Sequence, residues 1–193
     1  MFKTTISAVN YEYCRERITG FLLIYSTFFI HLVEGSEDAI SKHLSILLES
    51  PDHSECVGEM KILIQMSSVL KRLCPEWMIC HGTPAKLLTP LDENESVANT
   101  AQILYTCLRQ TYESIKIFNR RNYDLHDVRK SSVSLEPRCD KKTRNTSLSP
   151  RDGSTPSTSS HDEDEYRQHL PAMELIEALV ESPYTQKLEN YYE

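Results

Sequence analysis

Two apolar segments separated by a short polar break dominate the first part of the chain. Residues 18–25 and 28–33 are rich in β-branched and aromatic residues, and Ser26 and Thr27 lie between them. Strands of this composition joined by so short a connection are typical of a β-hairpin. The hairpin is therefore the predicted centre of the fold.

Helices and further strands are predicted on both sides of the hairpin. Residues 10–17 have the polarity of a short helix. Ser36 is placed to cap a second helix with an acidic first turn, and its apolar residues fall on one stripe at Ile40, Leu44, Leu47 and Leu48. Two more strands are predicted at residues 60–66 and 75–80.

A long amphipathic helix is predicted after these strands. Asp92 and Glu95 have the spacing of a capping box. Apolar residues then recur at helical spacing over about seven turns, at Val97, Ala101, Leu104, Leu108, Tyr112 and Ile115. We expect this helix to dock on the sheet face that the other helices leave free.

The composition changes beyond residue 121. Residues 122–165 are crowded with Ser, Thr, Pro and charged residues, so we expect disorder there; Ser149 and Thr155 are candidate sites of proline-directed phosphorylation. An apolar stripe follows Pro171 at Met173, Ile176, Leu179 and Val180. This last helix either folds back on the domain or docks in the groove of a partner.

The order of the elements predicts an α+β fold, a ferredoxin-like sandwich whose mixed sheet is covered by helices. It divides the chain into a core at residues 1–92, a packing helix at 93–121, a disordered segment at 122–165, and a C-terminal helix and tail at 166–193.

Composition and charge narrow the possible partners. A formal charge of −7 without a basic stripe argues against nucleic acid or a membrane surface. The longest apolar run, residues 20–33, is shorter than the roughly 20 residues that span a bilayer, and no secretory signal is recognisable at the start. The six cysteines are dispersed without the spacing of metal ligands. We expect a cytoplasmic protein without a metal site.

No arrangement of residues in the sequence indicates catalysis. Cys80 and His81 are adjacent on a predicted strand, where neighbouring side chains point to opposite faces, so they do not form a nucleophile and base pair. His43, His53 and His126 have no companion nucleophile and carboxylate that we can identify. We therefore expect no enzymatic activity.

Over residues 10–82 the chain resembles the BLUF family, blue-light sensors that use FAD. Residues 18–23 are similar to the family's ITGLLL signature, and residues 28–35 to its FxQxLEG strand. Residues 50–53 resemble its DPRH corner, and residues 72–77 resemble the RxFPxW segment that leads into its last strand. The resemblance implies a BLUF-type sandwich and, as the alternative function, a flavoprotein that responds to light or redox state.

The positions that such a domain uses to sense light are mostly changed. His31 stands where the family has its switching Gln, and a His lacks the amide used by that switch. Tyr13 replaces the Asn that holds the flavin, and Ile79 replaces a Met, whereas Trp77 matches. If flavin is retained, His31 and Trp77 are its candidate contacts; otherwise both are ordinary sheet residues and no cofactor is bound.

The family's first strand, with its electron-donating Tyr, has no match. Either residues 1–9 replace that strand, or the chain is an N-terminally shortened form. Gly20 lies within the hairpin, and Gly20→Val is predicted to destabilise it by crowding the helix laid across it.

Within the family the chain resembles a group of vertebrate testis-expressed proteins, which implies expression in germ cells. We expect a non-enzymatic interaction or scaffold module of male germ cells, located in the cytoplasm or in the sperm flagellum or cilium. Protein partners are expected, and nucleic acid and membrane are not.

Overall fold

The computed structural model describes residues 1–13, 15–50, 57–84, 86–87, 90–91, 96–131 and 168–192, and of residues 121–131 and 191–192 it describes the backbone only. Several predictions fall outside this part of the chain: the corner at residues 51–53, the capping box at 92–95, the phosphorylation candidates, and the side chain of His126.

The described part of the chain contains both helices and strands. In chain order they are α1 Phe2–Glu12, β1 Thr19–Ile24, β2 Phe29–Glu34, α2 Glu37–Glu49, β3 Lys61–Ile62, β4 Trp77–His81, α3 Val97–Ser131, α4 Met173–Glu181, β5 Gln186–Lys187 and a 3₁₀ helix at Leu188–Tyr192.

A mixed three-stranded sheet in the order β2-β1-β4 forms the centre of the molecule. The predicted hairpin is confirmed: β1 and β2 pair antiparallel from Thr19 opposite Glu34 to Ile24 opposite Phe29. Strand β4 pairs parallel with the other edge of β1, with Trp77 opposite Gly20. The α+β class with a mixed sheet is thus confirmed, and the ferredoxin-like arrangement stays a prediction.

Alternation along β1 builds a core on each face of the sheet. Phe21 and Leu23 belong to the larger core, which also contains buried residues of α3 and α4. Ile18 belongs to the opposite core, with Ile6 of α1 and Ala39 of α2. Helix α3 therefore docks on the face that α1 and α2 leave free, as expected.

The N-terminal residues form a helix rather than a strand. Helix α1 spans Phe2–Glu12, so the predicted helix at residues 10–17 is wrong beyond Glu12, and residues 1–9 do not supply a strand. Phe2, Ile6 and Val9 recur at helical spacing, and Ile6 and Val9 are buried by it. That spacing outweighs the weak alternation of the same segment.

The strand predicted at residues 60–66 is wrong over most of its length. Only Lys61–Ile62 is a strand, and it pairs with β5 instead of joining the central sheet. Ile64 and Met66 are exposed. The partner strand lies far away in sequence and is two residues long, so local alternation could not indicate where the pairing stops.

The buried stripes of α2 and α3 are rotated from those predicted. Helix α2 buries Ala39, His43 and Leu47. Helix α3 buries Ile103, Cys107, Thr111, Ser114 and Ile115, while Val97, Ala101 and Tyr112 are exposed. The Thr111 hydroxyl donates to the Cys107 carbonyl one turn earlier, and the Ser114 hydroxyl lies within hydrogen-bond distance of the Gln110 and His169 carbonyls, to either of which it can donate. Such bonds let small polar residues enter the core. A stripe defined by apolar residues alone misses them.

The C-terminal segment folds back on the domain. The Tyr25 hydroxyl donates to the Pro171 carbonyl at 2.7 Å, and the Ser114 hydroxyl lies 2.7 Å from the His169 carbonyl oxygen. The Leu188 amide donates to the Met60 carbonyl at 2.9 Å. Of the two interpretations of the last helix, the structure shows packing on the protein's own core.

Within these described ranges, no helix combines the length and the apolar character needed to cross a membrane.

Candidate functional site

His31 and Trp77, the predicted site residues, meet on the sheet face covered by α1 and α2. β2 carries His31 and β4 carries Trp77, and both strands flank β1. The Trp77 Nε1–H donates to His31 Nε2 at 3.1 Å. The structure thus brings the two side chains together, while their role as cofactor contacts stays a prediction.

Two further rings pack against His31, and a third packs against one of them. The Phe2 ring of α1 contacts His31 edge to face, with centroids 5.1 Å apart, and also lies 5.1 Å from the Phe29 ring. The His43 ring of α2 lies 5.4 Å from the His31 ring at an interplanar angle of 84°. We call Phe2, Phe29, His31, His43 and Trp77 the histidine cluster.

Both imidazoles of the histidine cluster are held neutral. Burial, together with the smaller effect of the neighbouring His43, lowers the pKa of His31 to about 3. Burial likewise lowers the pKa of His43 to about 4. Because Nε2 of His31 accepts the Trp77 bond, its proton is assigned to Nδ1.

His43 is a polar side chain buried without compensation in the described part of the molecule. It has no exposed surface, and neither ring nitrogen has a hydrogen-bond partner among the described residues. The sequence signal for its burial was present, because His43 lies four residues after Ala39 and four before Leu47, which are both buried.

The residues of the histidine cluster do not fit a flavin ring. The acceptor nitrogen of His31 is already bonded to Trp77, and Phe2 and His43 pack edge to face with the imidazole. Tyr13, at the position of the family's Asn, packs with the apolar core of α1 and α2. These contacts are those of a packed protein interior.

Two polar side chains that were not identified from the sequence, Asn10 and Glu34, connect the elements around this cluster by hydrogen bonds to the backbone. The Asn10 side chain accepts from the Ile18 amide at 2.6 Å and donates to the Ile18 carbonyl at 3.1 Å. The Glu34 carboxylate accepts from the amides of Leu73 and Cys74 at 2.6 and 2.9 Å. Asn10 thus ties α1 to the start of β1, and Glu34 ties the chain before β4 to the end of β2.

A cleft of about 380 Å³ opens beside Trp77, at the end of the sheet where β1 and β4 begin. Its lining includes Arg15, Arg17 and Arg72 together with Glu76. The Arg72 guanidinium donates to the Arg17 carbonyl and, at 3.4 Å, to the Thr19 hydroxyl. We call this the arginine cleft.

The thiols and potential metal ligands show no reactive grouping in the described residues. Burial, reinforced by Glu34, raises the pKa of Cys74 to about 12, and burial raises that of Cys107 to about 11; such thiols are poor nucleophiles. Cys80 is buried whereas the adjacent His81 is exposed. The described residues contain no group of three or more metal-ligating side chains.

Comparison with known proteins gives one family. A sequence model described as testis-expressed protein 47 matches residues 1–139, which include the whole central sheet. A search of curated proteins finds no match.

Proposed function

We propose that this chain, which belongs to the testis-expressed protein 47 family, is a non-enzymatic interaction module of male germ cells. The family description supports a role in germ cells. We place the protein in the germ-cell cytoplasm or the sperm flagellum, and we derive its scaffold from a BLUF-type domain that has lost flavin binding.

The packing of the histidine cluster is the observation that carries this proposal. At the position where the resemblance expects a flavin contact, the His31 ring is bonded by Trp77 and packed by Phe2 and His43. A side chain used in this way stabilises the fold and is not available to a cofactor. The remaining candidate for function is the surface.

An exposed apolar segment between β3 and β4 is the candidate contact surface for a protein partner. Ile64, Met66, Val69 and Leu70 project from the chain between β3 and β4; Met66 is 71% exposed and Leu70 is fully exposed. We take this concentration of exposed apolar side chains in one short segment as a candidate interaction site. We call residues 64–70 the apolar segment.

Proximity labelling in male germ cells tests the proposal. The full chain, fused to a labelling enzyme, is compared with Met66→Gln/Leu70→Gln and with a control, Val97→Gln/Tyr105→Gln, which changes exposed apolar residues of α3. We expect the wild type and the control to label one shared set of proteins, and the segment variant to lose most of that set.

Two results would contradict the proposal. If the wild type labels no protein above an inert fusion, the chain is not an interaction module. If the segment variant labels the same set as the wild type, the apolar segment is not the contact surface.

A further inference from the structure

The arginine cleft is opposite in charge to the protein as a whole. The chain carries a formal charge of −7, yet Arg15, Arg17 and Arg72 line this cleft, and Glu76 is the only carboxylate among the described residues of its lining. An acidic chain that gathers cations in one concave place has a local potential suited to an anionic group.

The cations of the cleft are not neutralised by neighbouring carboxylates. Within the described part of the chain, the ion pairs involve Lys61, Lys116 and Lys187 and none of the three arginines. Arg72 donates to the neutral oxygens of Arg17 and Thr19, and the Thr19 hydroxyl donates in turn to the Glu34 carboxylate at 3.4 Å. A guanidinium fork pairs with a carboxylate through two parallel hydrogen bonds.

The apolar segment runs directly into the cleft. Leu70 lies two residues before Arg72, and Lys71, also exposed, lies between them. Within the segment, Ser68 has a φ of 59°, a left-handed conformation that non-glycine residues rarely adopt. Val69 and Leu70, which follow it and precede Arg72, are exposed.

We propose that the arginine cleft and the apolar segment together form a docking site for an acidic amphipathic segment of a protein partner. Carboxylates of the partner pair with Arg15, Arg17 and Arg72, and its apolar side chains cover Met66, Val69 and Leu70. This inference rests on the proposed function and names the chemistry of the partner.

Charge complementarity favours this occupant over a membrane. Arginines next to exposed apolar residues are also found on proteins that bind anionic lipid, but such proteins present a broad cationic face. Here three arginines lie together in one cleft of a chain whose formal charge is −7, and an anionic bilayer would repel this net negative chain outside that cleft.

Trp77 gives a direct readout, because it is the single tryptophan of the chain and lines the cleft. The purified full chain is titrated with a helical peptide that has Leu on one face and Glu on the other, and with a matched peptide in which Lys replaces every Glu. We expect saturable change in Trp77 fluorescence with the Glu peptide, weakening as salt is added, and no change with the Lys peptide.

Paired variants separate the charge from the apolar contact. Arg15→Gln/Arg17→Gln should weaken binding about fivefold, as expected from two lost surface ion pairs. Lys3→Gln/Lys42→Gln changes the net charge equally at exposed positions of α1 and α2 and should leave the affinity unchanged.

A second variant and its control test the apolar contact in the same way. Met66→Gln/Leu70→Gln should weaken binding about tenfold through lost apolar burial, whereas Val97→Gln/Tyr105→Gln should have no effect. Circular dichroism confirms that each variant is folded before it is titrated.

The proposal is overturned if the Glu peptide does not bind, if the Lys peptide binds equally, or if the control variants lose affinity as much as the cleft variants. It is also overturned if phosphatidylserine vesicles bind through these residues in place of the peptide, or if the segment is covered by a second copy in sedimentation measurements. If the peptide fails while segment-dependent labelling persists in germ cells, only the partner chemistry is wrong; if both fail, the interaction module itself is wrong.

Discussion

Replacing His43 by Leu should stabilise the protein. The His43 ring is fully buried, and neither of its nitrogens has a hydrogen-bond partner in the described structure. Its polar atoms therefore give up hydration without compensation on folding. Leu has a similar volume and no polar atoms, so it fills the same space between α2 and the sheet without that cost.

The expected gain follows from opposing contributions. An unsatisfied buried polar group costs about 1–3 kcal/mol, and His43→Leu removes it. The substitution also removes the edge contact with His31, and such ring contacts contribute about 0.5–1.5 kcal/mol. We expect a net stabilisation of about 1 kcal/mol, or about 2–4 °C in Tm for a chain of this size.

The gain should grow as the pH falls. Burial lowers the pKa of His43 to about 4, from an ordinary value of 6.5, so the unfolded chain takes up a proton before the folded chain does. This histidine therefore costs no extra stability above pH 6.5 and costs progressively more between pH 6.5 and 4. Between about pH 7.5 and about pH 5.5, the advantage of the variant should increase by about 1 kcal/mol.

Urea unfolding at these two pH values measures both quantities. His81→Leu is the matched control, because His81 is an exposed histidine of β4, and it should change little at either pH. If His43→Leu lowers the free energy of unfolding by more than about 1 kcal/mol, the imidazole makes a favourable polar contact and the cluster is not simply a packed interior.

Three further substitutions test the strand framework. Gly20→Val should destabilise the protein by about 3 kcal/mol or more, because a Cβ added at Gly20 would lie 2.1 Å from the Leu32 carbonyl oxygen and the Gly20 φ is +149°. The control Gly58→Ala, which has open space around it, should leave Tm unchanged in thermal melts. Equal losses of Tm in the two variants would contradict this prediction. Glu34→Gln should lower the free energy of unfolding by about 2 kcal/mol by weakening two charge-assisted hydrogen bonds. An unchanged urea midpoint would show that these two bonds do not stabilise the fold. Asn10→Ala should cost about 2 kcal/mol by releasing both main-chain groups of Ile18, and slower hydrogen exchange at Ile18 in the variant would contradict it.

The β-hairpin was predictable because its sequence signals are local. Residues 18–25 and 28–33 have continuous β-forming composition, and the structure pairs the two strands from Thr19 opposite Glu34 to Ile24 opposite Phe29. The damaging effect of Gly20→Val was also predicted, but for a different reason. The crowding comes from the neighbouring strand, at Leu32, and not from a helix.

The features missed by the sequence analysis depend on distant partners. Lys61 and Ile62 pair with residues more than a hundred positions away, and Glu34 bonds to amides that a sequence pattern cannot locate. The predicted stripe counted apolar residues only and therefore did not include the buried Thr111 and Ser114, whose hydroxyls lie within hydrogen-bond distance of backbone carbonyls.

The candidate site was predictable in part. The resemblance singled out His31 and Trp77, and the structure places them in contact. The resemblance gave no reason to include Phe2 or His43. Phe2 enters the cluster through an N-terminal helix that was not predicted. His43 was considered only as a possible catalytic residue, and its helical spacing was not used.

The flavin content of the full chain tests most directly whether the histidine cluster is a packed interior. The protein is purified, incubated with excess FAD, passed through a desalting column and denatured, and the released flavin is measured by fluorescence. We predict that no flavin remains with the wild type or with His31→Gln. Retention of about one FAD per chain by the wild type would contradict the account, since a ring of that size requires Phe2, His43 and Trp77 to leave the positions described above.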